Sequence, residues 1–159
     1  MNQVIKNFYN IQYGPALEDN KEVLKWINQL PKPNQHFING EWVKSLSIKT
    51  LNSINPANNK KLFKLSIGSK SDINKAVKAA KTAFKSWSKT SSFERSKYLY
   101  ALARLIQKHS RFLSVLESID NGKPIRETRD IDIPLVARHF YYHAGWTKNS
   151  ETNTEKSIG

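Results

Sequence analysis

The spacing of apolar residues changes once along this chain, beside Gly68, and that change constrains the fold more than any other feature. Up to Ile67, apolar and polar residues alternate, as in Leu51-Asn52-Ser53-Ile54 and Leu62-Phe63-Lys64-Leu65-Ser66-Ile67. A period of two predicts short strands with one covered face. From Ser69 onward the apolar residues recur every three or four. Ile73, Ala76, Val77, Ala80, Phe84 and Trp87 then fall on one side of a helix, with Lys78, Lys81, Lys85 and Lys89 on the other. Strands first and helices after is not the order of a βαβ unit. The expectation is an α+β arrangement of short antiparallel strands followed by amphipathic helices.

Local punctuation predicts the remaining elements. Glu18 and Asp19 open a helical run of Val23, Leu24, Ile27 and Leu30, with Trp26 beside them, and Pro31-Lys32-Pro33 ends it. Asn39-Gly40 joins His36-Phe37-Ile38 to Glu41-Trp42-Val43 as a two-residue hairpin turn, because this dipeptide suits positive φ. Asn55-Pro56-Ala57-Asn58-Asn59 turns a second strand pair, and four strands so close together predict a sheet edge or meander. Ser69 to Asp72 resembles a capping box with Asp in the last place, and Ser91-Ser92-Phe93-Glu94 matches that motif in full. The second box starts a helix with Leu99, Leu102, Leu105 and Ile106 as its core stripe. From Ser110 it continues with Phe112, Leu113, Leu116 and Ile119 inward, until Asn121-Gly122 stops it. A last helix is expected from about Asp132 to Lys148, with Pro134 in its first turn. Tyr13-Gly14-Pro15 reads as a turn. The chain thus divides into a leader with one helix (1–35), a main body (36–148) and a polar, aperiodic and mobile tail (149–159).

Composition excludes some function classes. The 159 residues suffice for one domain with a core. No apolar stretch is long enough to span a bilayer, and the first seven residues lack the apolar region of a signal peptide. With no cysteine, no disulfide can form, and a cytoplasmic location is expected. The net charge of +13 raises nucleic-acid binding as a reading. Against it, 20 of the 26 basic residues are Lys, spread from Lys6 to Lys156 rather than gathered in one stripe.

No catalytic constellation follows from spacing. The six glycines stand too far apart for a phosphate-cradling loop. His139 and His143, four apart on one helix, could share a metal, yet no third ligand is suggested and Arg138 adds a cation beside them. Asp120 either satisfies backbone donors at a helix end or ligates a cation with carbonyl oxygens from elsewhere in the chain. Phe140, Tyr141, Tyr142 and Trp146 read as core or interface anchors.

Read together and in order, several segments resemble the NAD(P)-dependent aldehyde dehydrogenase family. They are Phe37-Ile38-Asn39-Gly40-Glu41-Trp42, Ile54-Asn55-Pro56-Ala57, the run from Ala76-Val77 to Phe84 and Trp87, Glu94-Arg95, Glu117 to Pro124, and Ala144-Gly145-Trp146. Asn58 departs from the Thr usual in the second of these. The resemblance implies an α/β family fold, of which this chain covers the N-terminal α+β portion, the outer layer of the cofactor-binding domain before the nucleotide-binding sheet. It implies that Asp120, with the backbone carbonyls of Ser53 and Ile54, holds a structural monovalent cation. It places Leu135 and His139 at the mouth of the substrate tunnel, and residues 149–159 at the entry to an oligomerisation hairpin.

The family reaction oxidises an aldehyde to a carboxylic acid. A cysteine thiolate attacks the aldehyde, hydride passes to NAD or NADP, and a glutamate-activated water releases the acid. This chain has no cysteine. The resemblance therefore implies no catalytic or cofactor-binding residue here. It implies a non-catalytic segment whose partner is the remainder of a dehydrogenase chain or a complementary subunit, within a homo-oligomer and away from membranes. A stand-alone interaction module is the alternative, and a basic nucleic-acid-binding domain a weaker one.

Overall fold

The structure is a computed structural model, and it describes residues 18–30 and 35–154 together with Gln3 and Lys6. The expected turn at Tyr13-Gly14-Pro15 and the Pro31-Lys32-Pro33 stop lie outside the described residues. Helix α1 (Lys21–Gln29) comes first, followed by two hairpins: β1 (Gln35–Ile38) with β2 (Glu41–Lys44), and β3 (Thr50–Ile54) with β4 (Lys61–Ser66). Helices α2 (Lys70–Trp87), α3 (Ser92–Lys108) and α4 (Ser110–Asn121) follow. A short α5 (Ile125–Glu127) then runs through a π-helical turn at Thr128–Asp132 into α6 (Ile133–Thr154).

The first hairpin forms as its turn residues require, with Asn39 at φ 55° and Gly40 at φ 82°. Phe37 stands opposite Trp42, and the two rings meet edge to face at 5.4 Å. In the second hairpin the Asn55 side chain accepts the Ala57 N–H at 2.9 Å, and Asn58 accepts that of Lys60 at 2.9 Å. The expected meander is not formed: the four strands make two separate two-stranded sheets. The backbone of β2 does not pair with β3, so each hairpin must be supported by helices.

The main core sits where α1 crosses α4. Val23 and Ile27 of α1 bury against Val115 of α4, joined by Phe63 of β4, Phe112, Leu116, Ile119 and Ile125. The leader helix therefore shares one core with the body of the chain. Trp26 caps this contact edge to face with Phe112 at 5.4 Å, while Leu24 remains exposed.

Helix α3 pairs chiefly with α6, and small residues carry the burial: Ala103 on α3, Ala137 and Ala144 on α6. The expected stripe is corrected accordingly. Leu99 and Ile106 are half-buried, whereas Leu102 and Leu105 are exposed, because alanines let two helices approach closely. The capping motifs also exchange rank. Ser69 and Asp72 form the complete reciprocal box. Ser91 accepts the Glu94 N–H at 3.2 Å, but the Glu94 carboxylate turns to Lys97 at 2.7 Å instead of returning to the cap.

The last helix is longer than its periodicity predicts and continues to Thr154, so residues 149–154 are helical rather than an aperiodic tail. It also begins earlier, through the π turn. There Ile133 donates its N–H to the carbonyl of Thr128, five residues back. A widened turn directly before Pro134 relieves the clash a proline ring makes with the preceding turn. Thr128 fixes that turn to α4: it is fully buried, and its Oγ1 donates to the Ser114 and Ile125 carbonyls at 3.0 and 3.1 Å.

Candidate functional site

The segment from Asp120 to Lys123 is a junction in which each residue has a physical task. Gly122 ends α4 at φ 82°, a conformation that L side chains rarely adopt, and its N–H returns to the Ser118 carbonyl. A Cβ on Gly122 would lie 3.0 Å from Pro56, so the missing side chain lets the Asn55-Pro56 turn press against the helix end. Asn121 accepts the Lys123 N–H at 2.8 Å. The Lys123 ammonium meets Asp132 at 2.6 Å, and that hydrogen bond raises its pKa.

That close approach brings together two residues 67 positions apart. The Ser53 hydroxyl donates to the Asp120 carboxylate at 2.6 Å, beside an irregularity of the β3–β4 register at Ser53/Ile54. Of the three residues expected at one site, Ser53 and Asp120 are thus in contact, Ile54 is the next residue along β3, and Asp120 is exposed. Their donors are oxygens only, with one negative charge, which suits a hard cation and not zinc. Among the described residues, no three His, Cys, Asp or Glu side chains gather to hold a metal. His139 and His143 follow this pattern: both are exposed, and His143 lies edge to face with Tyr142 at 5.4 Å.

Helix α6 carries the second expected feature. Its buried side is Ile133, Ala137 and Ala144. Leu135, His139, Tyr142 and Trp146 recur at helical spacing on another side, all exposed, with Tyr142 and Trp146 rings 5.9 Å apart. An exposed apolar and aromatic stripe suits contact with further protein or an apolar ligand. Helix α2 shows the same property more strongly: Ile73 is 60% and Phe84 64% exposed, and Val77 and Trp87 also face outward.

One polar cluster was legible only as a helix cap. Asp72 is buried and accepts hydrogen bonds from the Ser45 hydroxyl (2.6 Å) and from both the hydroxyl and N–H of Ser69 (2.6 and 2.8 Å). These bonds hold its carboxyl well below the usual carboxylate range. The Ser45 contact spans 27 residues, and no local motif announces it.

Comparison with known proteins places most of the chain in one family. The family model described as the aldehyde dehydrogenase family matches residues 42–158. Aldehyde dehydrogenase family 2 member B4, mitochondrial, from Arabidopsis thaliana is 45% identical over 114 residues, which cover 70% of this chain and 21% of that protein. An aldehyde dehydrogenase structure from Bacillus cereus in its NAD+ complex is 37% identical, with a TM-score of 0.72 over 87% of this chain and 27% of that one. A betaine aldehyde dehydrogenase from Staphylococcus aureus, also in complex with NAD+, is 33% identical, with a TM-score of 0.72 over 82% and 25% of the two chains. This chain therefore spans about a quarter or less of the length of the relatives it matches. With the matched family segment covering most of its length, the chain belongs to the aldehyde dehydrogenase family.

Proposed function

We propose that this chain is a structural segment of an NAD(P)-dependent aldehyde dehydrogenase and does not oxidise aldehydes by itself. The observation that carries this reading is the combination of family membership with a sequence that has no cysteine to supply a thiolate. Its task is to cover part of the cofactor-binding domain and to shape the approach to the substrate. The outward apolar faces of α2 and α6 support that role, since such faces are stabilised by burial against further protein. NAD or NADP accepts the hydride in the complete enzyme, and related structures with NAD+ favour the first. Within this reading, Asp120 with the carbonyls of Ser53 and Ile54 holds a monovalent cation, and Leu135 and His139 border the substrate tunnel. The remainder of a dehydrogenase, as one chain or a complementary subunit, is the partner, in a homo-oligomer in the cytoplasm. Among the described residues no helix is long and apolar enough to cross a membrane.

The test is complementation. The purified chain, mixed with NAD+ or NADP+ and a panel of short aldehydes, is expected to produce no reduced nicotinamide. Co-expressed with the cysteine-carrying remainder of a relative, it is expected to co-purify with it and restore turnover. Turnover by the chain alone would overturn the reading, and failure both to co-purify and to restore turnover would count against the structural role. For the cation, Asp120→Ala is expected to abolish the rise of melting temperature that Na+ or K+ gives the assembled enzyme. An unchanged rise sinks that assignment.

A further inference from the structure

Helices α3 and α6 border an open cleft of about 580 Å³, a size that takes a small organic molecule. Two tyrosine rings, Tyr100 and Tyr141, line it 5.0 Å apart, together with Gly145. The Tyr141 hydroxyl donates to Gln107 at 2.7 Å, which fixes that ring. Among the described residues no Asp or Glu lines the cleft, and its charged members are Lys97 and Arg104. The Lys97 ammonium is engaged by Glu94 at 2.7 Å and lies over the Phe93 ring. Arg104 is exposed and makes no hydrogen bond or ion pair among the described residues, so its guanidinium has its donors open. Gly145 adds an independent observation. It sits inside α6, where glycine is the least favourable residue after proline. Its φ is not positive, and a Cβ there would meet no atom within 4 Å. Neither backbone conformation nor packing among the described residues therefore requires glycine at this position. Its effect is to keep that side of the cleft at backbone level.

We propose that this cleft binds a small aryl carboxylate, with its ring against Tyr100, Tyr141 and the Gly145 backbone and its carboxylate on Arg104. The tyrosines offer aromatic surface for a stacked or edge-to-face contact. The open guanidinium offers two parallel N–H donors, the pattern that a carboxylate accepts. One free cation balances one negative charge, which favours a carboxylate over a doubly charged phosphate monoester. The apolar wall by itself would take a neutral arene, and Arg104 by itself would take any anion. Their juxtaposition selects a molecule that has both a ring and a carboxylate. This inference does not rest on the proposed dehydrogenase role, because the cleft is built from residues of this chain alone and uses neither the α2 face nor the Asp120 site.

An NMR titration of the isotope-labelled chain tests it. The probes are naphthoate, its uncharged counterpart naphthalenemethanol, and acetate as the anion without a ring. Naphthoate is expected to give saturable shifts at the amides of Ala101, Arg104 and Gly145, with a Kd of roughly 0.1–1 mM. Naphthalenemethanol and acetate are each expected to bind about tenfold more weakly or worse. Arg104→Gln is expected to weaken naphthoate about tenfold, and Arg104→Lys to fall between, because it keeps the charge and loses the fork. Gly145→Leu places a side chain in the cleft and is expected to abolish the shifts while the far-UV circular dichroism stays the same. Since Arg104 is exposed and Gly145 faces open space, both variants are expected to fold. Equal binding of the alcohol, no saturation below about 10 mM, or an affinity untouched by both Arg104→Gln and Gly145→Leu would overturn the site. Shifts that follow protein concentration rather than naphthoate would assign the cleft to a second copy of the chain and overturn it as well.

Discussion

Helices α2 and α3 are neighbours in sequence with similar amphipathic patterns, yet they end in opposite situations. Helix α3 lies along α6 and buries Ala103 completely. Two cross-links hold the pair: the Tyr100 and Tyr141 rings 5.0 Å apart, and the Tyr141 hydroxyl donating to Gln107 at 2.7 Å. Helix α2 is anchored at its first turn through Asp72 and touches α3 at its last, where the Trp87 and Tyr98 rings lie 5.4 Å apart, and between these it runs with Val77 and Phe84 exposed. An apolar stripe marks a face that burial would stabilise, but not the presence of a cover. The difference lies in α6, which supplies α3 with a partner in the same chain. Helix α2 is left with the surface through which the proposed dehydrogenase partner would attach.

The comparison is broken or sharpened by substitutions on the two helices. The largest effect is expected from Ala103→Leu, which forces bulk into the filled α3–α6 seam and should cost about 2–3 kcal/mol in urea unfolding. A near-neutral result would mean that the seam is looser than its burial indicates. Next comes Thr128→Val, which removes both side-chain bonds of the π turn that leads into α6. A loss of about 1–2 kcal/mol is expected, with faster amide exchange around Ser114. The caps give a smaller pair of effects. Ser91→Ala should cost about 1 kcal/mol, because the hydroxyl accepts the Glu94 N–H. Glu94→Ala should cost less than about 0.5 kcal/mol, because its carboxylate reaches Lys97 and not the cap. Smallest of all is Phe84→Ser on α2, expected to change unfolding of the isolated chain by less than about 0.5 kcal/mol while reducing binding of a hydrophobic dye. If Phe84→Ser destabilised the chain as much as Ala103→Leu, the contrast between the helices would fail.

Much of the local structure was legible in the residues. Asn39-Gly40 demanded a hairpin turn, and Gly122 demanded a helix end, because few residues accept positive φ. The Asp120 site was partly legible. Resemblance named Ser53, Ile54 and Asp120, and the fold brings Ser53 and Asp120 to 2.6 Å. The agent of that approach, Pro56 fitting against a side chain that Gly122 lacks, has no signal in spacing. The Asp72 cluster is legible in the residues only as a cap, since its contact to Ser45 depends on how the first hairpin folds over α2. Leu102 and Leu105 lie on the predicted core stripe yet are exposed, because period alone cannot separate the covered edge of a stripe from its open edge.

By itself, the sequence determined where the chain turns, where its period changes, that these residues include no cysteine, and which family its motifs resemble. These properties are local or compositional, set by φ preferences, caps and side-chain chemistry within a few residues. The tertiary structure decided which apolar faces are covered, that the strands form two hairpins and not one sheet, and that Ser53 meets Asp120. Those outcomes depend on which segment lies across from which, and packing between distant elements settles that.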